Sequence, residues 1–191
     1  MNNNFFYNLL KQRRSARRFT PQAVETEKLD LLLNSALMSP ASKSTNEWEF
    51  IVVQDKTMLQ QLSECKEHGA KLIANAPLAI VVAGDTTKSD VWIEDCSIAS
   101  ILLQLAAEEQ GLGSCWVQVR NRKHKNGTDS AAFVRKLLQI PDNFAVLSII
   151  AIGYKAEERP PFDEKNLQLD KIHYEKFLDF SGFKNLENLL T

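Results

Sequence analysis

The sequence predicts a layered domain of α+β or α/β class, a central sheet with helices on both faces. Residues 48–53, 78–84 and 145–153 are dominated by β-branched, aromatic and small apolar side chains, the composition of strands buried on both faces. Helical periods stand between them, most plainly Leu29, Leu32, Leu33, Ala36 and Leu37. No linker, internal repeat or low-complexity tract divides the chain, so residues 1–191 read as a single domain.

In chain order, Phe5, Phe6, Leu9 and Leu10 open a first helix, which Thr20-Pro21 ends. Thr26 is the expected N-cap of a second helix that stops before Ser39-Pro40, because proline pushes the residue before it out of the α region. A polar loop, 39–47, leads into the strand at 48–53. Residues 56–65 read as helix, 70–74 as a shorter one closed by Asn75-Ala76-Pro77, and 78–84 as the second strand. Ser89 or Asp90 is placed to cap a helix over 91–110, with Glu94 and Asp95 in its first turns and Gly111 as its stop. That helix should be about 30 Å long at 1.5 Å per residue. Its apolar residues are not confined to one stripe, and a helix apolar all round must be enclosed all round. So small a chain has few elements to do this, and the direct inference is a second subunit. Residues 113–119 read as a further strand or extended segment, 120–128 as a basic loop, 129–139 as a helix capped by Asp129 or Ser130, and 145–153 as the last strand. The extension 155–191 carries Ile172, Tyr174, Phe177 and Leu178 and is expected to contact the partner subunit.

Composition excludes several function classes. A formal charge of -1 removes the broad basic field that nucleic-acid binding needs. The longest uncharged stretch, 96–107, is too short to span a bilayer, and the opening residues lack the basic flank and apolar run of a secretory signal. A cytoplasmic location without membrane contact is expected. Cys65, Cys96 and Cys115 are odd in number and far apart, without metal-ligand spacing, so they read as small buried hydrophobes.

The densest chemical feature is Arg13-Arg14-Ser15-Ala16-Arg17-Arg18-Phe19. A guanidinium fork matches phosphate or carboxylate oxygens bidentately, so the cluster is either an anion clamp or a solvated helix end whose cations suit the macrodipole. Gly111-Leu112-Gly113 follows a helix and precedes a strand, the reverse of a dinucleotide fingerprint, and no P-loop is present. His68, His124 and His173 lack the Gly-x-Ser-x-Gly elbow of a serine hydrolase and read as surface residues. Glu108-Glu109 and Glu157-Glu158 diverge as neighbours on a helix must. Anion-binding groups without an acid–base pair point to a cofactor that carries the reaction.

Five segments in succession resemble the nitroreductase family of FMN-dependent oxidoreductases: residues 13–19; Ser-Pro-Ala-Ser-Lys-Ser-Thr-Asn-Glu-Trp-Glu-Phe at 39–50; Ala-Pro-Leu-Ala-Ile-Val-Val at 76–82; the block 92–116 ending Gly-Leu-Gly-Ser-Cys-Trp; and Ile-Ala-Ile-Gly-Tyr at 150–154. The resemblance implies an α+β fold with a mixed, mostly antiparallel sheet flanked by helices, in a domain-swapped-style homodimer with two FMN sites at the interface. It implies that Arg13, Ser15 and Arg17 hold the flavin phosphate and ribityl chain, with Arg14 beside them. Pro40, Ala41, Ser42, Ser44 and Asn46 of the other subunit would line the ring. Lys71 resembles a basic residue that faces the flavin N1/O2 edge, its alternative being an exposed helix lysine. Trp116, Val117, Gln118 and Val119 match the segment along the isoalloxazine, where a backbone N–H meets N5; core packing is the alternative for Trp116.

The sequence departs from the family pattern in places. Ser44 and Asn46 stand where many relatives carry Asn and Gln, Glu47 replaces a frequent proline, and Gln118-Val119 replaces a common Gly-Gly. Arg159 and Lys165 are the candidates for a basic phosphate ligand near the C-terminus. The implied activity is ping-pong hydride transfer through flavin N5, from NADH or NADPH to nitroaromatic, quinone or similar small-molecule acceptors. No side chain is nominated as a catalytic acid or base, and no metal. The rival readings are a specialised flavoenzyme with one physiological substrate, flavin breakdown included, and a non-catalytic dimer that binds a phosphorylated ligand.

Overall fold

The computed structural model describes residues 4–177, so Leu178 and the rest of the expected extension lie outside the described residues. Its elements are α1 (Phe5–Gln12), α2 (Thr26–Leu37), β1 (Trp48–Val53), α3 (Lys56–Leu62), β2 (Leu78–Asp85), α4 (Trp92–Glu109), β3 (Gly113–Gln118), α5 (Ser130–Leu138) and β4 (Phe144–Gly153). The four strands pair antiparallel throughout in the order β1-β2-β4-β3. The parallel component of the expected mixed sheet is confined to an isolated bridge between Ser15 and Ser114.

Both faces of the sheet are covered, as strands apolar at successive positions require. Leu78, Ile80 and Val82 of β2 pack with Leu32 and Ala36 of α2 and Cys96, Ala99 and Leu103 of α4. The alternate residues Ala79, Val81 and Ala83 face Leu59 and Leu62 of α3 and Val134 of α5. All three cysteines are free and buried, in line with the sequence reading. No helix of the described residues is long and apolar enough to cross a membrane.

Several boundaries differ from expectation. The first helix ends at Gln12, not at Thr20-Pro21, and Arg13 is its C-cap. Continuing it would set Arg13 over Arg17 and Arg14 over Arg18 at i,i+4, like charges that destabilise a helix; the segment instead runs extended beside β3. The second helix is capped by Glu25 rather than Thr26, and the Glu25 carboxylate accepts Tyr154 OH at 2.7 Å. Neither Ser89 nor Asp90 caps α4; Val91 takes the cap position, and Ser89 Oγ accepts the Val91 N–H at 3.2 Å. His124 is buried rather than on the surface, stacked on Phe133 with ring centroids 4.7 Å apart.

From Phe162 on, the chain forms a second compact unit. Within it, Asp163 caps a single turn at Glu164–Asn166, another turn spans Leu169–Lys171, and Leu167, Leu169, Ile172, Tyr174 and Phe177 are exposed.

Candidate functional site

The arginine segment becomes a strap laid along the β3 edge. Ala16 N–H donates to the Ser114 carbonyl at 2.9 Å, and Thr20 N–H to the Tyr154 carbonyl at 2.9 Å, so the strap is tied at both ends. It can lie this close because position 113 is glycine: a Cβ there would stand 2.6 Å from Ala16 Cβ and 2.7 Å from Lys155 Cγ. Gly113→Ala is therefore expected to cost about 1–3 kcal/mol through overpacking, read as a lowered urea midpoint. Lys155 in turn donates to Glu108 Oε1 at 2.7 Å with both side chains largely buried, fixing the strap to the C-terminal end of α4.

The four guanidiniums divide by what they already hold. Arg14 donates to the Pro160 carbonyl at 3.4 Å and Arg18 pairs with Glu157 at 3.5 Å. The Arg13 and Arg17 guanidiniums have no hydrogen bond or ion pair among the described residues. Their charges, with those of Lys66 and Arg159, act on the Cys115 thiol of β3; burial nonetheless pushes that thiol above its ordinary value. Arg159 thus joins the strap, near enough to share its field, although it also pairs with Glu157 at 3.6 Å. Lys165 belongs to the second compact unit. Lys66 has no local signal in the sequence; only folding brings it to β3.

Trp116, Val117 and Gln118 lie on β3, and Val119 follows it. The strand is the edge of the sheet, so beyond the Ser114 bridge one row of its backbone groups faces away from β4. Trp116 Nε1–H donates to Gln118 Oε1 at 2.9 Å, and Gln118 Nε2–H donates to the Arg120 carbonyl at 2.9 Å, which fixes the orientation of that amide. Lys71 sits on the turn Lys71–Asn75, ion-paired to Glu64, whose other oxygen takes Lys125 at 3.4 Å.

Pro40, Ala41, Ser42, Ser44 and Asn46 form a second group at the other edge of the sheet, before β1 and against the N-terminal end of α4. Lys43, Ser44 and Asn46 all adopt left-handed backbone, with φ of 52°, 55° and 47°. Such conformations cost about 1–3 kcal/mol each outside glycine and persist where surroundings over-determine them, typically at ligand clamps. The surroundings here are Asp95, whose Oδ2 accepts the Ser42 N–H at 3.0 Å, and Glu47, whose Oε2 accepts the Thr45 hydroxyl at 2.6 Å. Asp95 and Glu47 escaped sequence reasoning: one reads as an ordinary acid in a first helical turn, the other as a polar residue leading into a strand.

The strap with β3 and the 39–47 loop do not meet within one chain. They stand at opposite edges of the sheet, and Asp95 and Glu108, which anchor them, are about 20 Å apart along α4 at 1.5 Å per residue.

Comparison with known proteins bears on what this arrangement serves. Residues 10–154 match the model of the Nitroreductase family. The "Putative NADH dehydrogenase/NAD(P)H nitroreductase" of Archaeoglobus fulgidus is 33% identical over 174 residues, covering 88% of this chain and 97% of the relative. A protein of the same description from Methanothermobacter thermautotrophicus is 34% identical over 171 residues, covering 88% and 85%. Among solved structures, an FMN-dependent nitroreductase from Clostridium difficile R20291 superposes with a TM-score of 0.88 at 46% identity, covering 90% of this chain and 99% of that one. Fold and sequence agree, and the chain belongs to the nitroreductase family.

Proposed function

We propose that the protein is a homodimeric, cytoplasmic FMN-dependent oxidoreductase that uses NADH or NADPH to reduce nitroaromatic, quinone or similar acceptors. The observation that carries this is the strap itself, where the Arg13 and Arg17 guanidiniums stand without partners beside an edge strand. That donor set fits a phosphate monoester, which takes bidentate charge-assisted hydrogen bonds from exactly such forks of N–H groups.

When bound, FMN would supply the redox chemistry, that of hydride and electron transfer between a reduced nicotinamide and an acceptor in two ping-pong half-reactions. The chain supplies binding, orientation and charge. Arg13, Ser15 and Arg17, with Arg14 alongside and Arg159 added by the fold, hold the phosphate and ribityl chain. In the segment Trp116 to Val119, the outer backbone row, that of Trp116 and Gln118, would lie along the ring and offer it an N–H, the Val119 N–H being donated to the Leu147 carbonyl. Lys71 favours negative charge at the N1/O2 edge, with Glu64 setting where its ammonium stands. Ser42, Ser44 and Asn46, with Pro40 and Ala41, line the ring from the partner subunit, because their own strap lies too far away.

Two copies also resolve the exposed apolar surface. No residue of α1 is buried, and Phe6 is 61% and Met38 75% exposed. Ile98 and Ile101 point outward from α4, against which α1 and α2 both pack. Helices α1, α2 and α4 thus present one apolar layer that a second copy would cover, as the helix 91–110 requires.

Anaerobic titration tests the proposal. Protein loaded with FMN should bleach on adding NADH or NADPH, regain colour with a quinone or nitroaromatic, and give parallel double-reciprocal plots. Protein that takes up no FMN sinks the reading, and loaded protein that neither nicotinamide bleaches sinks the donor assignment.

A further inference from the structure

We infer that Asp95 and Glu47 are positioning residues for the 39–47 loop, and that they act as a pair holding one proton, which Asp95 donates to Glu47. The consequence for cofactor affinity rests on the proposal that this loop binds FMN; the proton and its effect on the loop do not.

Geometry carries the inference. Glu47 is 1% exposed and Asp95 5%, and their carboxyl groups lie within hydrogen-bonding reach of each other. Glu47 Oε2 has a donor in Thr45, but Glu47 Oε1 is buried with none. An orphaned carboxylate oxygen in a dry site is costly, and two adjacent buried carboxylates cannot both ionise cheaply. A proton on Asp95 answers both problems: Oδ2 keeps the Ser42 N–H, and the protonated carboxyl gives Glu47 a donor in place of a second negative charge. The pair then links Ser42 at one end of the strained turn to Thr45 at the other.

No other nearby group offers to neutralise the second charge. Glu94 adds a like charge from α4. Burial first, and then the two carboxylates, push the Cys96 thiol up to about 12, so it stays neutral. Ser89 offers only a hydroxyl, and Asp85, whose N–H donates to the Glu47 carbonyl, turns its side chain to Thr87 and Lys88. Lys43 is exposed on the loop itself, and neither acid has an ion pair with Lys, Arg or His among the described residues. No group of three metal-ligating side chains occurs among the described residues. The N-terminal end of α4 favours one negative charge at this place. The proton's location follows from the two environments. Burial, reinforced by Glu47, raises the Asp95 carboxyl. Burial also opposes the Glu47 charge, but hydrogen bonding, led by the Thr45 hydroxyl, outweighs it and holds that carboxyl low.

The sign of the pH dependence follows. Asp95, raised when folded, contributes order that is complete below its ordinary value of 3.8 and is lost as pH rises through the folded value. Glu47, lowered when folded, contributes order that is lost as pH falls through its folded value.

The test compares wild type, Asp95→Asn and Asp95→Ala. Asparagine copies the protonated acid permanently, its carbonyl accepting the Ser42 N–H and its amide donating to Glu47. In the apoprotein, the exchange protection of the Ser42 amide, measured by NMR, should fall in wild type as Asp95 ionises. Over that same range, above the pH at which Glu47 is protonated, it should stay level in Asp95→Asn and be about tenfold lower in Asp95→Ala. FMN dissociation constants should follow the same order; the flavin phosphate titrates identically in all three, so differences between the curves report the pair. Wild type and Asp95→Asn with superimposable pH profiles, or Asp95→Asn as damaging as Asp95→Ala, would overturn the inference. If protection behaves as expected while no variant binds FMN, the proton pair stands and the cofactor assignment of the loop falls.

Discussion

Replacing Arg13 and Arg17 together by alanine should release FMN from the protein and leave the polypeptide folded. Each guanidinium engaged with a phosphate contributes about 1.5–3 kcal/mol as a charge-assisted hydrogen-bonding partner. Losing both should weaken binding roughly a hundredfold to ten-thousandfold, at about 1.4 kcal/mol per factor of ten. Stability should change little, because neither side chain has a hydrogen bond or ion pair among the described residues, and Arg17 is exposed. The strap is held instead by the backbone bonds of Ala16 and Thr20 and by Gly113, none of which the substitution touches. Arg18→Ala is the matched control: its guanidinium is exposed and already faces Glu157, so FMN affinity should stay within about twofold. Flavin co-eluting with the double variant on gel filtration would refute the clamp.

What the sequence disclosed depended on whether the cause was local. The strands were legible because each is apolar at successive positions, and the structure buries them on both faces. Their order was not, since β1, β2 and β4 share one composition and nothing in it says that β4 lies between β2 and β3. The end of α1 was misplaced because an extended strap is favoured by Ser114, a hundred residues away, and by repulsion between arginines that a pattern of apolar residues does not register. Arg13 and Arg17 stood out by density alone. Which guanidiniums are unpartnered depends on Pro160 and Glu157, and so appears only in the fold. The Asp95–Glu47 pair was invisible for the same reason: each acid has an ordinary local explanation, and only their meeting makes them unusual.

Ile98→Glu combined with Ile101→Glu should convert the protein to a monomer and abolish FMN binding with it. Both side chains are exposed on the outer face of α4, at 39% and 38%, so a lone subunit would accept carboxylates there at little cost. Across a subunit interface the same carboxylates, repeated by symmetry, would be four desolvated like charges. Desolvating unpaired charges costs several kcal/mol per ion, enough to raise the dimer dissociation constant more than about a thousandfold. The cofactor consequence follows from α4 as a ruler. Its C-terminal end carries the strap through Glu108 and its N-terminal end carries the 39–47 loop through Asp95, about 20 Å away. A two-fold axis perpendicular to α4 would bring the N-terminal end of each copy toward the C-terminal end of the other, the arrangement in which, under the proposed function, strap and loop would close on one ligand. Sedimentation equilibrium should therefore show a folded monomer, and flavin titration should show it colourless. A monomeric variant that still binds FMN with wild-type affinity would place the whole site within one subunit, and the loop would then have to serve something other than the flavin ring.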